Sequence, residues 1–138
     1  MQTFLPYPDF AESARCLDSR RLGKQRVGVL QILNAIQNPD AKGWKNHPCT
    51  LMWRDHVNEL IDYGIAICEE WTRRGFQDTV KEKLSARRDP NQGGELPTWF
   101  GNPTLHANHR AKLLHKDPEF YGRYGWLESA TDTSYWPV

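Results

Sequence analysis

The stretch DSRRLGKQRVGVLQILNAIQNP, residues 18–39, decides the fold of this 138-residue chain. Asp18 is a favourable N-cap and Asn38-Pro39 is a favourable stop, so the stretch predicts one long helix between them. Apolar residues share one face of that helix and would pack in the core: Leu22, Val29, Leu30, Leu33 and Ile36. A different face carries Arg21, Lys24, Gln25 and Gly28.

Four cations and no acidic residue lie between Ser19 and Pro39. They are Arg20, Arg21, Lys24 and Arg26. A solvated helix usually mixes its charges, whereas charges of one sign suit an anion, most often phosphate. Gly23 and Gly28 each destabilise a helix by about 1 kcal/mol relative to alanine, which is explained if a ligand must approach the backbone there. The alternative is a basic surface helix with two tolerated glycines.

The composition is that of one small globular domain in a reducing compartment. The length suffices for a single domain over residues 1–138. A net charge of +1 excludes a uniformly basic protein that binds nucleic acid over its whole surface. Cys16, Cys49 and Cys68 lack the spacing of a disulfide framework or a zinc site. The cysteine pattern therefore favours a reducing, cytoplasmic compartment. No signal pattern or membrane-length apolar run is present, so we expect no association with a membrane. We also expect a monomer without a cofactor.

The pattern along the chain predicts a mainly α fold with three principal helices, further short helices, an extended N-terminus and an aromatic C-terminal tail. In chain order, the predicted elements are an extended segment over 1–8, a short helix over 9–17, the helix of 18–38, a long helix from 47 to 74, a short helix over 79–84, a mobile polar loop over 85–95, a helix over 104–116 and the tail. The helix from 47 to 74 has the longest apolar stripe and would form most of the core.

Two regions outside the basic helix carry residues suited to nucleic acid. His106 and His109 lie three residues apart on a predicted helix, with Lys112 and Lys116 one or two turns on, and would contact phosphate. A metal bound by the two histidines and a third ligand is the alternative, but we predict no metal because no carboxylate supports it.

The aromatic tail is the second such region. Tyr121 and Arg123 would form a surface on which bases lie, since aromatic rings stack on any base. The alternative is that the tail rings close the core of the domain. Glycines flank Tyr121, Tyr124 and Trp126, so these three rings are expected to be the most exposed.

Nucleophilic side chains are scarce, and an amine is the remaining choice. The sequence has no nucleophile elbow and no phosphate-binding glycine loop. The amine of Lys24 or of Met1 is therefore the candidate nucleophile, able to attack a sugar C1′ and form a Schiff base. The alternative is that Lys24 only binds phosphate. Neighbouring like charges favour the neutral form of the Lys24 amine. Asp18 is the nearest acid that would assist.

These residues together resemble the pyrimidine-dimer DNA glycosylases of the phage endonuclease V type and their small bacterial relatives. The resemblance rests on the basic helix with Arg26-Val27, on TRRGF at 72–76 and on PEFYGRYG at 118–125. It implies a compact helical domain that kinks damaged DNA and extrudes a base. It further implies glycosidic-bond cleavage by an N-terminal α-amine, strand scission by β-elimination, and a phosphate contact at Arg26.

The sequence departs from that family pattern at the catalytic acid and at the nucleophile. Phage members carry a catalytic glutamate just before the Arg-Val step, where this chain has Leu22, Gly23 and Lys24. Bacterial members carry an acid directly after Arg-Val, where Gly28 stands. The phage nucleophile is a threonine exposed by loss of Met1, whereas the bulky Gln2 should leave Met1 in place.

Three functional hypotheses follow from the sequence. The first is a DNA-repair enzyme: a DNA glycosylase with abasic-site lyase activity on double-stranded DNA that contains a damaged or modified base. The second is a catalytically inactive protein that binds kinked or damaged DNA with the same fold. The third is an enzyme on another nucleotide substrate that uses His106 and His109.

Overall fold

The computed structural model describes residues 1–38, 40 and 43–138. Its helices are α1 (Phe10–Cys16), α2 (Ser19–Gln37), α3 (Pro48–Trp53), α4 (Val57–Arg73), α5 (Val80–Ser85), α6 (Pro103–Lys116) and α7 (Pro118–Tyr121). Short 3₁₀ turns cover Trp44–Asn46 and Gly122–Tyr124. The described residues contain no strand, and the prediction of a mainly α fold with three principal helices, α2, α4 and α6, is confirmed.

Helix α2 begins where the sequence predicts. Asp18 caps it by accepting a hydrogen bond from the Arg21 N–H, and Asn38 is its C-cap. The proline of the predicted stop, Pro39, lies outside the described residues, as do Ala41 and Lys42 of the following loop. Helix α2 packs against α4, and the two form the centre of the core.

The prediction of one long helix from residue 47 to 74 is wrong, because the chain turns between α3 and α4. The N–H of His56 donates to the carbonyl of Trp53 at 2.8 Å and closes this turn. The Trp53 indole is fully buried, and its Nε1–H donates to Thr3 Oγ1 at 3.0 Å. Apolar spacing continues across the turn, so periodicity alone does not reveal it.

The loop over 85–95 is attached to α4. The Asn58 Nδ2 donates to the Asp89 carbonyl at 2.8 Å, and the Asp89 N–H donates back to Asn58 Oδ1 at 2.8 Å. Gln92 Oε1 accepts a further hydrogen bond from the Asn58 N–H at 3.1 Å. These bonds anchor the segment that the sequence suggested as the most mobile.

The aromatic tail mostly closes the core. Tyr121 is 0% exposed and stacks on Trp126, with ring centroids 5.8 Å apart. The tail then runs along α6, where the Thr131 N–H donates to the Ala111 carbonyl at 3.2 Å. The expected exposure of Tyr121 is therefore wrong, because its ring fills the space beside the N-terminus of α2. No helix among the described residues has the length and apolar character needed to cross a membrane.

Gly64 allows α4 to approach its neighbours closely. A Cβ at this position would lie 2.6 Å from Leu84 Cδ1 and 2.7 Å from Val29 Cγ1. We expect Gly64→Ala to destabilise the protein by about 2 kcal/mol, because overpacking outweighs the better helix propensity of alanine. Urea unfolding followed by circular dichroism measures this effect.

Gly28 provides the matched control for that substitution. No atom lies within 4 Å of a Cβ built at Gly28, in the interior of α2. Gly28→Ala should therefore stabilise the protein by about 0.5–1 kcal/mol. Equal stability of the Gly64→Ala variant and the wild type would show that the core yields easily at this contact.

Candidate functional site

Helix α2 borders a cleft of about 830 Å³, a volume typical of ligand sites. The cleft is lined by Met1, Gln2, Phe4, Arg20, Gly23, Lys24, Gln25, Arg26, Val27, Gly28, Gln31, Trp44, Trp71, Lys112 and Lys116. A smaller cavity of about 240 Å³ is lined by Phe4, Arg20, Arg21, Lys24, Gln25 and Lys116. The structure thus brings together the N-terminus, the basic residues of α2 and two lysines of α6.

The charge of the cleft is positive. Its cationic side chains are Arg20, Lys24, Arg26, Lys112 and Lys116, and none of the described lining residues is acidic. Arg26 is neutralised by Asp78, whose Oδ1 accepts from the arginine Nε at 2.8 Å. Within the described part of the chain, Arg20, Lys24 and Lys116 have no acidic partner and are exposed. The unpaired cations would attract a phosphate backbone.

The N-terminal segment is held against α2 by Gln25. The Gln25 Nε2 donates to the Gln2 carbonyl at 2.8 Å, and its Oε1 accepts from the Phe4 N–H at 3.0 Å. The Tyr63 hydroxyl of α4 lies 2.7 Å from that Oε1 and 2.8 Å from the Phe4 carbonyl, and its one proton serves both acceptors. These contacts fix the backbone immediately after Met1.

Gln25 therefore has a different role from the predicted DNA contact. Its side chain borders the cleft but is only 7% exposed, and the hydrogen bonds above are all internal. Leu22 and Val29, three residues before and four after it, share its helix face. The spacing that buries those two residues also buries Gln25, so the helical wheel could have predicted this position.

His106 and His109 of α6 bind the backbone of Leu5. The Leu5 N–H donates to His109 Nδ1 at 2.8 Å. His106 Nε2 accepts from the Gly101 N–H at 3.0 Å, so its proton lies on Nδ1, which donates to the Leu5 carbonyl at 2.7 Å. Both rings are buried and line neither cavity, so the structure does not support the predicted phosphate contacts or the nucleotide enzyme built on this pair.

Burial of His109 makes folding sensitive to acid. Burial lowers the pKa of the imidazole to about 3, well below the value of about 6.5 expected in the unfolded chain. As the pH falls below 6.5, the unfolded state binds a proton that the folded state does not. The contribution of His109 to the free energy of unfolding is fully present above pH 6.5 and is lost progressively as the pH falls towards 3.

We expect the free energy of unfolding to fall by about 2 kcal/mol between pH 6.5 and pH 5 through His109 alone. Burial also lowers the pKa of His106, which adds to the loss. Urea titrations at the two pH values measure the difference. His109→Gln, which keeps an acceptor for the Leu5 N–H, should lose most of this pH dependence, whereas His115→Gln should keep it. Equal stability of the wild type at both values would contradict this role.

Asp18 lies outside both cavities. Its Oδ1 accepts from Arg21 Nη1 at 3.2 Å and from the Tyr121 hydroxyl. Burial raises the pKa of Asp18, but the hydrogen bonds from Tyr121 and Arg21 outweigh burial and lower it below the ordinary value. Asp18 therefore caps α2, and Tyr121 is a buried residue of the core. Neither residue lines the cleft.

Arg123 also lies away from the cleft. Its guanidinium lies 3.8 Å from the centre of the Phe120 ring, and Arg123 lines neither cavity. Of the other predicted binding residues, Arg20, Arg26, Lys112 and Lys116 line the main cleft, and Arg21 lines the smaller cavity.

The two glycines of α2 have different surroundings. A Cβ at Gly23 would lie 3.0 Å from the Trp71 ring, so Gly23 makes room for this indole and not for a ligand. The Arg26 guanidinium lies 4.9 Å from the centre of the same ring. Gly28 borders the cleft with open space above it, so nothing in the described structure requires a glycine there.

Two aromatic residues of the cleft were not predicted as site residues. Trp44 is 42% exposed and follows a loop, where periodicity gives no signal. Trp71 lies at the end of α4 and matches the core stripe, which concealed its contact with the cleft. The exposed Trp44 ring offers a face on which a displaced base can stack. The Trp71 ring is already contacted by Phe76, stacked at 4.2 Å, and by the Arg26 guanidinium.

Met1 lies at the cleft beside an aromatic cluster. His47 packs edge to face against Trp44 and Trp136, with centroid distances of 5.4 and 5.5 Å. Burial lowers the pKa of His47, and the positive charge of the Met1 amine lowers it further. Met1 itself lines the cationic cleft.

The chain belongs to the pyrimidine dimer DNA glycosylase family. The family model matches residues 1–84, which is more than half of the chain and includes the N-terminal segment, α2 and α4. The aromatic sequence at 118–125, part of the predicted resemblance, lies beyond the matched residues. Membership of this family indicates a DNA glycosylase, and the substrate of a DNA glycosylase is DNA. The chain matches no curated protein and no solved structure in the comparisons.

Proposed function

We propose that this protein is a DNA glycosylase with abasic-site lyase activity on damaged double-stranded DNA. The Met1 α-amine attacks C1′ of the damaged nucleotide, and the bond between C1′ and the base breaks. The base leaves with the bonding electron pair and takes up a proton. Loss of a proton from the attached amine and opening of the sugar ring give a Schiff base, which supports elimination of the 3′ phosphate.

The observation that carries this proposal is the fixation of the backbone after Met1. Side chains of α2, α4 and α6 bind the peptide groups of the N-terminal segment: Gln25 at Gln2 and Phe4, Tyr63 at Phe4, His106 and His109 at Leu5, and Arg110 at Pro6. A fixed segment places the amine without a large loss of entropy on binding substrate.

The other cleft residues fit the binding of distorted DNA. Arg20, Lys24 and Lys116 supply unpaired positive charge for phosphates. The exposed Trp44 supplies an aromatic face for an unstacked base. In this proposal Lys24 binds phosphate, and the amine that reacts is that of Met1.

We further infer that residues 1–138 form one domain that acts as a monomer. The helical core draws on residues from Phe4 to Tyr121, which supports a single unit. The cysteines are free and buried, which fits a reducing cytoplasm.

Trapping with borohydride tests the chemistry. The protein is incubated with a duplex that contains one abasic site, in the presence of sodium borohydride, and the products are separated on a denaturing gel. A stable protein–DNA adduct is expected, and strand cleavage is expected when borohydride is omitted. Absence of both products from pH 5 to pH 9 would remove the lyase assignment.

A catalytically inactive DNA binder is the second candidate function. The observation that favours it is the lack of an acidic residue among the described residues of the cleft. A protein of this kind would bind ultraviolet-irradiated or abasic duplex with a steep dependence on salt and would form no adduct. The same gel, run beside a binding titration, separates the two functions.

A further inference from the structure

Lys112 differs from the other cations of the cleft in its surroundings. It lines the cleft from α6, yet the residue is only 9% exposed. Arg20, Lys24 and Lys116, by contrast, are exposed. A buried lysine holds its amine in one place, whereas an exposed lysine samples many rotamers.

The C-terminal tail holds the Lys112 amine. Lys112 Nζ donates to Ser134 Oγ. Asn108 fixes the residues on both sides of this serine, because its Nδ2 donates to the Thr133 carbonyl at 2.8 Å and its Oδ1 accepts from the Tyr135 N–H at 3.0 Å. The hydroxyl is therefore a rigid anchor for the side chain of a lysine that lines the cleft.

Elimination at an abasic site needs a base, and the cleft has no carboxylate among its described residues. The two acids that contact side chains of α2 have other partners: Asp78 binds Arg26, and Asp18 binds Arg21 and Tyr121. An amine that is neutral part of the time is the remaining proton acceptor of this cleft.

The charges around Lys112 favour its neutral form. Burial lowers the pKa of Lys112, the neighbouring Lys116 lowers it further, and Asp132 of the tail opposes both effects. The adjacent His109 is neutral above its pKa of about 3 and adds no positive charge. From α2, Arg20 and Lys24 also line the cleft with positive charge.

We propose that Lys112 is the base that removes the C2′ proton during strand scission, a role that rests on the proposed lyase function. Lys112 Nζ takes the proton from C2′ of the Schiff base, and the electron pair of the C–H bond moves towards the iminium nitrogen to give an enamine. The enamine pair then forms the C2′–C3′ double bond. The C3′–O bond breaks, and the phosphate leaves with that electron pair.

Single-turnover assays on an abasic duplex separate this step from Schiff-base formation. Lys112→Gln keeps a polar group near Ser134 but cannot take a proton at neutral pH. We expect borohydride trapping within about twofold of the wild type and strand scission slower by about 100-fold. Lys112→Arg keeps the charge and should be equally slow, because a guanidinium does not lose its proton. Lys83→Gln, an exposed lysine of α5, is the matched control and should match the wild type.

The pH profile distinguishes a base from a structural residue. Wild-type scission should rise with pH to an inflection below that of a free lysine, and both Lys112 variants should lack this inflection. Unchanged scission in the variants, with normal trapping, would overturn the role of Lys112 and leave the proposed function intact. Loss of trapping in the folded variants would also overturn it, because Lys112 would then be needed before elimination. If the wild type itself forms no adduct, the proposed lyase function and the role that rests on it both fail.

Discussion

Acetylation of the Met1 amine is expected to lower strand cleavage at an abasic site by at least about 1000-fold, because the acetylated nitrogen cannot form a Schiff base. Affinity for the duplex should change little, since Arg20, Lys24 and Lys116 retain their charges. The acetylated chain can be prepared by semisynthesis and compared with the free-amine chain in single-turnover cleavage and binding assays.

The matched control for acetylation is Lys24→Gln with a free N-terminus. Lys24 lines the same cleft and is exposed, so its loss should weaken DNA binding. The DNA concentration needed for half-maximal cleavage should therefore rise. At saturating DNA, the variant should cleave at a rate near that of the wild type. A fast acetylated protein together with a slow Lys24→Gln protein at saturation would assign the nucleophile to Lys24.

A Gly28→Glu substitution is expected to accelerate base excision from ultraviolet-irradiated duplex by about 100-fold, the second large effect. Gly28 borders the cleft, and no atom lies within 4 Å of a Cβ built there, so the longer side chain can enter the cleft without displacing the core. A carboxylate in this position would stabilise the positive charge that develops on the sugar as the glycosidic bond breaks. The rate of base release under single-turnover conditions measures the effect.

Gly28→Gln is the control for this substitution, because it adds the same bulk without the charge. The neutral variant should remain close to the wild type in rate. It should also bind undamaged DNA more tightly than Gly28→Glu, since an added negative charge repels phosphates. Equal rates for the two variants would mean that the lack of a carboxylate does not limit excision.

The fold was largely predictable because its signals are local. The cap at Asp18, the stop at Asp117-Pro118 and the apolar stripe of α2 correctly predicted α2 and the end of α6. The break between α3 and α4 was missed, since neither proline nor glycine marks it and the apolar spacing continues across it. At the turn Trp53 contacts Thr3, and such a contact between residues far apart in sequence gives no local signal.

The cleft was predictable only in part, because it too depends on contacts between residues far apart in sequence. Arg20, Lys24 and Met1, which the sequence suggested from the one-sign charge of α2 and from amine chemistry, all line the cleft. The histidines of α6 were misassigned because their partners are backbone groups of Leu5, about a hundred residues away in sequence. Composition cannot distinguish a histidine that holds a peptide group from one that holds a phosphate.

Gly23 and Gly28 show the same limit on one helix. Both have a low helix propensity, and from the sequence alone the approach of a ligand would explain either of them. The structure separates them, because the Trp71 ring fills the space above Gly23 whereas Gly28 has open space. Contact with Trp71 therefore explains Gly23, and the same explanation does not apply to Gly28.

Peptide mapping of the borohydride-trapped adduct tests most directly whether Met1 supplies the reacting amine. The wild-type protein is trapped on an abasic duplex, digested with nuclease and protease, and analysed by mass spectrometry. The sugar remnant should be found on the α-amine of the peptide that begins at Met1, with Lys24 and Lys112 unmodified. A remnant on either lysine, with a free Met1 amine, would contradict the proposed role of the N-terminus.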